Sequence, residues 1–318
     1  MRLLRVELSR FAMRRGVVAV LLVAAAVTVV LAVSAAYATR PADDTERAAA
    51  EQLLTREQLL VAEEREQCLE SLDESDGPGA TACDAAEPRI GWYLPREPLD
   101  LAGEIDGRGQ VLVFTLVGAA VLLGATFTGP DWSSGSMRNQ LLQAPRRTTV
   151  WSAKAFAVVV ATTGAAAVLL AVFWGSLALV AVSRDVAPSA AVWDTVLQGA
   201  ARALLLVAAV ALGSYAATML LRHTVGTLGL LLGYVVVGEG LAASLPFERM
   251  SQWSLVRNVQ AFVRDGVELG DRSLCGLGER GCVPRYELAA GHAAGYLGAL
   301  LLVAVVVSVV AFARRDVP

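Results

Sequence analysis

Lysine and histidine are nearly missing from this chain, which has one lysine, Lys154, and two histidines, His223 and His292, in 318 residues. A phosphate-binding loop needs a glycine-rich stretch that ends in Lys-Ser or Lys-Thr, whereas Lys154 precedes an alanine. The histidines stand in no HExxH or similar spacing. We therefore predict no metal site, no ATP hydrolysis by this chain and no catalytic residues, so that the chain is not an enzyme.

Apolar residues are abundant instead, at 55% of the chain with a mean hydropathy of +0.54. A membrane-spanning helix needs about 20 consecutive apolar residues, and six stretches satisfy this. The sequence therefore predicts an all-α integral membrane protein, with a six-helix transmembrane domain over 16–318. The predicted spans are 16–38, 109–128, 155–182, 199–221, 226–245 and 291–313.

The charged residues divide between alternate loops and indicate an orientation. Residues 1–15 hold five Arg against one Glu, and residues 129–154 hold four basic residues against one Asp. Residues 39–108 hold seven Arg against eighteen acidic residues, and 246–290 hold six of each sign. Cytoplasmic loops are enriched in Lys and Arg, so both termini and the 129–154 loop are expected in the cytoplasm. The arginine, alanine and glycine content is typical of a G+C-rich bacterium, which indicates a bacterial plasma membrane protein.

An alternative interpretation is that residues 1–38 are a secretory signal, because Ala36-Tyr37-Ala38 resembles a cleavage site after a basic start. The apolar stretch is longer than the 7 to 15 residues, roughly, of a signal sequence. This favours a first membrane span.

The four cysteines all lie in the two loops that are expected outside the cell. Cys68 and Cys83 fall in 39–108, and Cys275 and Cys282 fall in 246–290. Oxidation is plausible there, and of the three possible pairings we favour the two local ones, Cys68 with Cys83 and Cys275 with Cys282. Reduced thiols are the alternative, and neither pair has the CxxC spacing of a zinc site.

The 39–108 insertion is predicted to contain one acidic helix over 45–72, because that stretch avoids Gly and Pro and is rich in Ala, Leu, Glu and Gln. Two roles are open for it. It is either a lid or partner-docking element, or a solvated helix that caps the bundle.

Two ionisable residues, Arg202 and Glu239, lie inside predicted spans, where a charge needs a partner or a polar cavity. Both fall in the outer half, so we expect either an ion pair between them or a polar gate. Gly229 and Gly233 form a GxxxG pattern, which favours close helix packing, within the bundle or between two chains.

The polar block at residues 131–154, DWSSGSMRNQLLQAPRRTTVWSAK, contains a predicted short helix. Ser133 or Ser134 is expected to cap it, and Pro145 is expected to end it. Met137 and Leu141 lie on one face of this helix and form its expected apolar edge.

This block resembles the corresponding segment in the permease subunits of type-two ABC exporters, and the stretches that match are DW, GS, LL, PRR and AK. The resemblance implies that the block is a coupling helix that docks into a separate ATP-binding subunit. Residues 1–15 are similar to the family's interfacial elbow helix, and 246–290 to its re-entrant outer turn. The residues implied in coupling are Ser134, Met137, Arg138, Leu141, Leu142, Pro145, Arg146 and Arg147.

The resemblance also implies an assembly of two permeases, identical or different, with two ATP-binding subunits that hold ATP and Mg²⁺. This chain would then bind no cofactor and no nucleic acid, and would contact its partners and membrane lipid. A hypothesis from a different class is a membrane scaffold or sensor, without transport, whose outer helix binds a ligand.

Overall fold

The computed structural model describes residues 2–71, 83, 86–143, 146–186, 188–244, 250–270 and 285–314. Helices dominate these residues, and π-turns at Ile105–Gly109 and Tyr234–Gly238 interrupt two of the long ones. The helices are α1 (Arg2–Met13), α2 (Arg15–Ala38), α3 (Asp44–Ser71), α4 (Leu101–Glu104), α5 (Gln110–Ser133), α6 (Ser136–Gln143), α7 (Arg147–Ser183), α8 (Ala190–Leu221), α9 (Thr224–Gly233), α10 (Glu239–Ser244), α11 (Leu255–Arg264) and α12 (Ala290–Arg314).

Six of the helical segments in the described residues are long and apolar enough to cross a membrane. They confirm the six predicted spans, although α7 begins at Arg147 and α8 at Ala190, eight and nine residues before the predicted starts. Hydropathy detects only the apolar part of a helix, whereas backbone hydrogen bonding continues through polar residues until a cap or turn ends it. The segments are Arg15–Ala38, Leu101–Ser133, Arg147–Ser183, Ala190–Leu221, Thr224–Leu241 and Ala290–Arg314.

Contacts between helix termini define the two ends of the bundle. At one end, which we call the α6 end, Arg147 donates a hydrogen bond to the carbonyl of Phe312, 3.5 Å away. At the other, which we call the α3 end, Arg184 donates to the carbonyl of Ala36 at 2.6 Å. The 129–154 and 39–108 segments therefore lie at opposite ends of the bundle.

The core of the bundle is centred on α5 and α8. Leu112, Ala120, Leu123 and Phe127 of α5 are all buried. A Cβ atom added at Gly124 would lie 2.0 Å from the Ser214 hydroxyl of α8 and 2.6 Å from the carbonyl of Ala211. The missing side chain at Gly124 therefore lets the two helices approach closely, as small residues do between membrane helices.

The predicted acidic stretch forms a helix in the structure, α3, which is about 42 Å long at 1.5 Å per residue. Asp43 and Glu46 each accept a hydrogen bond from the other's backbone N–H, an arrangement that stabilises a helix start. Arg96 donates to the Glu46 carboxylate, and this hydrogen bond lowers the pKa of Glu46. The predicted Cys68–Cys83 disulfide is present near the other end of α3, with Cα atoms 5.8 Å apart.

One part of the fold departs from the all-α expectation. Strands β1 (Val267–Gly270) and β2 (Arg285–Leu288) pair in antiparallel register within the 246–290 segment. Leu269 and Leu288 cover Ala261 of α11 and Ala293 of α12, which gives the strands a small apolar core. Cys275 and Cys282 lie outside the described residues, so their predicted pairing stays a prediction.

Candidate functional site

The predicted coupling helix corresponds to α6, an eight-residue helix between the ends of α5 and α7. Gly135, with φ of +69°, makes the turn that separates α6 from α5. The hydroxyls of Ser133 and Ser134 both donate to the carbonyl of Pro130. The predicted caps at Ser133 or Ser134 are therefore wrong, because both side chains satisfy the last turn of α5 instead.

The two faces of α6 meet different surroundings. Met137 is 1% exposed and belongs to this chain's own core, whereas Leu142 is 78% exposed. The expected apolar edge for a partner is therefore wrong at Met137, since α6 lies against α5 and α7 and uses that residue internally. Leu141 is half-buried, and the exposed face is formed by Arg138, Asn139, Leu142 and Gln143.

The residues that follow α6 also differ in how exposed they are. Pro145 lies outside the described residues, so the predicted end of the helix at that position stays a prediction. Arg146 is exposed and Arg147 is half-buried. Of the residues implied in coupling, Ser134, Arg138, Leu142 and Arg146 are thus accessible to another protein.

Three buried charges and one half-buried arginine lie beside α6 and form what we call the ionic junction: Glu7, Asp131 and Lys154, with Arg14. The Lys154 ammonium lies 2.7 Å from Asp131 Oδ2 and 3.1 Å from Glu7 Oε2. Arg14 contacts the other oxygen of Asp131 at 2.7 Å. The side chains of Glu7, Asp131 and Lys154 are at most 7% exposed. Three helices and one turn therefore share one network, since these residues belong to α1, the α1–α2 turn, α5 and α7.

The junction includes α6 itself, because the hydroxyl of Ser136, its first residue, donates to Asp131 Oδ1 at 3.3 Å. Phe127 supports both cations, with its ring centroid 5.0 Å from the Arg14 guanidinium and 5.4 Å from the Lys154 ammonium. Such contacts add cation–π attraction, which strengthens where water is excluded. The position of α6 is therefore tied to a desolvated network rather than to a solvated loop.

The network continues to α8 and α12 through Trp151, one turn before Lys154. The Tyr215 hydroxyl of α8 donates to the carbonyl of Trp151 at 2.8 Å. The Trp151 indole N–H donates to the Ser308 hydroxyl of α12 at 3.2 Å. The α6 end of α7 is thus held by hydrogen bonds to two further helices.

The charges of the junction balance, with two cations and two carboxylates. Removing an ion from water costs several kcal/mol, and a buried pair offsets this only when each charge keeps a partner. Within the described residues, no three His, Cys, Asp or Glu side chains are grouped to hold a metal. The arrangement can transmit displacement between helices, because its buried ion pairs join α1 and α5 to α7.

Sequence reasoning missed the junction although one signal was present. The third predicted span begins at residue 155, directly after Lys154. A lone lysine that is followed by nearly thirty apolar residues requires a partner when it is buried. The sequence thus shows that Lys154 needs an acidic partner, but it does not indicate that Glu7 and Asp131 are the partners.

The predicted ion pair between Arg202 and Glu239 is wrong. Arg202, on α8, pairs with Asp265 at the end of α11, 2.8 Å away. Glu239 accepts hydrogen bonds from the Ser254 hydroxyl and from the backbone N–H of Val256, 3.1 Å away, at the start of α11. The two side chains therefore hold opposite ends of one short helix, because α11 lies between them.

Gly229 and Gly233 lie in α9 with open space around them: a Cβ at either would have no neighbour within 4 Å. Packing inside the bundle therefore does not explain the GxxxG pattern among the described residues. A surface without a neighbour in this chain remains available to another chain or to lipid.

No protein-family model, no curated protein and no solved structure matches this chain. The functional argument therefore depends on the residues and contacts described above.

Proposed function

We propose that this chain is the membrane-spanning permease subunit of an ATP-driven exporter of the ABC type. The observation that carries the proposal is the combination of α6 and the ionic junction. A short helix with an exposed outer face, formed by Arg138 and Leu142 among others, is hydrogen-bonded through Ser136 to the ionic junction, whose ion pairs join α5 to α7 and α7 to α1. That is what a coupling element requires, because a displacement of α6 reaches several helices together.

The mechanism follows from rigid contacts. Closure of a pair of ATP-binding subunits pushes α6, and Asp131 passes the displacement to Lys154 of α7 and to Arg14 at the start of α2. The helices then tilt and shift the population between inward-open and outward-open states. ATP and Mg²⁺ are held by the partner subunit, and this chain supplies the path.

The assembly proposed is two permeases with two ATP-binding subunits in a bacterial plasma membrane. The exposed face of α9 around Gly229 and Gly233 supports contact with a second permease, since small residues allow close approach of helices. The α6 end, with both termini, faces the cytoplasm in this proposal because it carries the excess of positive charge.

The test of coupling uses Leu142→Asp, which places a charge on the exposed face of α6 without disturbing the core. Desolvating that charge in a partner interface should cost about 2 kcal/mol or more, roughly a 30-fold loss of affinity. The matched control is Leu59→Asp, an exposed leucine on α3 at 69% exposure. We would measure permease in the membrane, the co-purifying ATP-binding subunit and the ATPase activity.

We expect normal insertion of both variants, with loss of the partner only for Leu142→Asp. Retention of the partner and of its ATPase activity by Leu142→Asp would refute the docking role of α6. Met137→Asp is not a suitable probe, because it would put a charge into the permease's own core.

The scaffold or sensor hypothesis is favoured by one observation, the long exposed helix α3 held at both ends by the Arg96–Glu46 ion pair and the Cys68–Cys83 disulfide. This hypothesis predicts that the chain, when purified from the native membrane, carries no bound ATP-binding subunit. Co-purification of such a subunit supports the exporter.

A further inference from the structure

A cavity of about 480 Å³ opens at the α3 end of the bundle, away from the ionic junction. Residues of α5, α7, α8 and α11 line it, together with the π-turn Ile105–Gly109. Its volume falls within the range of about 300 to 1,000 Å³ that is usual for small-molecule sites. The cavity takes no part in the coupling mechanism proposed above.

The deepest lining residues of the cavity are apolar. Val113, Leu170 and Val196 are between 3% and 9% exposed. Trp174 joins them, and it approaches the backbone of Gly109 so closely that a Cβ there would lie 3.0 Å from its ring. This layer suits a hydrocarbon chain, since burying apolar surface on it is favourable.

The charged lining residues lie nearer to the mouth and form two ion pairs. Arg202 contacts Asp265 at 2.8 Å, and Arg264 contacts Asp106 at 2.6 Å. The guanidinium side chains are 26% and 38% exposed, whereas the carboxylates are 64% and 59% exposed. Exposure therefore rises from the apolar lining residues through the two guanidinium groups to the two carboxylates.

We propose that this cavity binds the headgroup of a zwitterionic phospholipid from the leaflet at the α3 end. In such a lipid the phosphate is next to the hydrocarbon and the amine is outermost, which is the complementary order. The phosphate meets Arg202 and Arg264, and the amine meets Asp106 and Asp265. Arginine suits this role because its several N–H donors can hold a carboxylate and a phosphate oxygen together.

The balance of charge distinguishes this ligand from an anionic lipid. Two guanidinium groups and two carboxylates line the site, so an anionic headgroup without an amine leaves both carboxylates facing a negative ligand. Like charges brought together in a partly desolvated site repel. Zwitterionic headgroups satisfy all four side chains.

Gly199 of α8 offers a way to close the site without disturbing the fold. It lines the cavity, and a Cβ added there would have no neighbour within 4 Å. Gly199→Leu therefore fills the cavity. The matched control is Gly175→Leu, at a glycine of α7 that also has open space but does not line the cavity.

The experiment uses the purified full-length chain in mild detergent, without partner or nucleotide, so its result is independent of the exporter proposal. Short-chain phosphatidylethanolamine, short-chain phosphatidylglycerol and soluble phosphoethanolamine are titrated separately, and binding is followed by native mass spectrometry. Thermal unfolding of each variant is recorded to verify folding.

We expect phosphatidylethanolamine to bind at least tenfold more tightly than either other probe. Gly199→Leu and Arg202→Gln should each weaken phosphatidylethanolamine binding by roughly tenfold or more. The first variant removes space for the lipid, and the second removes a charged hydrogen-bonding partner. Gly175→Leu should bind like the unmodified chain. Undiminished binding by Gly199→Leu, equal binding of phosphatidylglycerol, or equal binding of the soluble headgroup would each overturn the proposal.

Discussion

The Lys154 ammonium lies 2.7 Å from Asp131 Oδ2, and this ion pair closes the 23-residue separation that contains α6. The helix is therefore held at both of its connections, by the last turn of α5 on one side and the first turns of α7 on the other. A loop clamped in this way can move as a unit, which supports the proposed coupling role.

Lys154→Met is expected to destabilise the protein by about 3–5 kcal/mol, because it leaves Asp131 and Glu7 buried without their shared cation. The matched control is Arg10→Gln, which removes a half-exposed contact with Glu7 at 3.5 Å and should change stability by less than about 1 kcal/mol. Thermal unfolding in detergent measures both. Equal unfolding temperatures for Lys154→Met and the unmodified chain would contradict the network.

Gly124→Ala should destabilise the bundle by about 1–3 kcal/mol, the usual effect of overpacking. Its methyl group would lie 2.0 Å from the Ser214 hydroxyl and 2.6 Å from a backbone carbonyl of α8, which cannot move aside alone. Gly118→Ala is the control on the same helix, since its Cβ would meet nothing within 4 Å. It should be neutral, or stabilising by up to about 1 kcal/mol through helix propensity. Similar unfolding of the two variants would refute the close α5–α8 contact.

Arg202→Ala and Glu239→Ala should have additive effects on stability, within about 0.5 kcal/mol. Within the part of the chain that the structure describes, the two side chains share no partner: Arg202 meets Asp265 at the end of α11, and Glu239 meets Ser254 before its start. The free energies of unfolding of the two single variants and the double variant complete a double-mutant cycle. A coupling energy of 1 kcal/mol or more, roughly, would show that they interact after all.

Non-reducing peptide mapping should find Cys68 joined to Cys83. Closing a loop of 15 residues stabilises that segment by about 3 kcal/mol through chain entropy, so reduction should speed proteolysis near the end of α3. The same map tests the sequence-based pairing of Cys275 with Cys282. A bridge from Cys68 or Cys83 to either of the other two cysteines would contradict both pairings.

Cysteine labelling tests the orientation in a background without the native cysteines. Thr55→Cys on α3 should react with an impermeant maleimide in intact cells, whereas Thr148→Cys at the α6 end should react only after lysis. Both threonines are exposed, so accessibility in the folded protein is matched. The reverse pattern would invert the proposed topology.

The elements that the sequence predicts and the structure also contains are those with local causes. The six spans, α3 and α6 follow from composition and spacing within one segment, because a helix satisfies its own backbone and apolar runs are read directly from the chain. The local Cys68–Cys83 bridge belongs to the same class. Strands β1 and β2 were missed, since each is only four residues long and is stabilised by pairing with the other.

The sequence by itself determined that this chain has six spans, that its charges are divided between alternate loops, and that Lys154 and Arg202 need partners. Only the tertiary structure decided which partners they have. Glu7 is 147 residues from Lys154, and Met137 is buried because α6 lies against α5 and α7. A charge attracts any opposite charge, and an apolar side chain packs against any apolar surface. The choice among them depends on how the helices cross, which no single segment specifies.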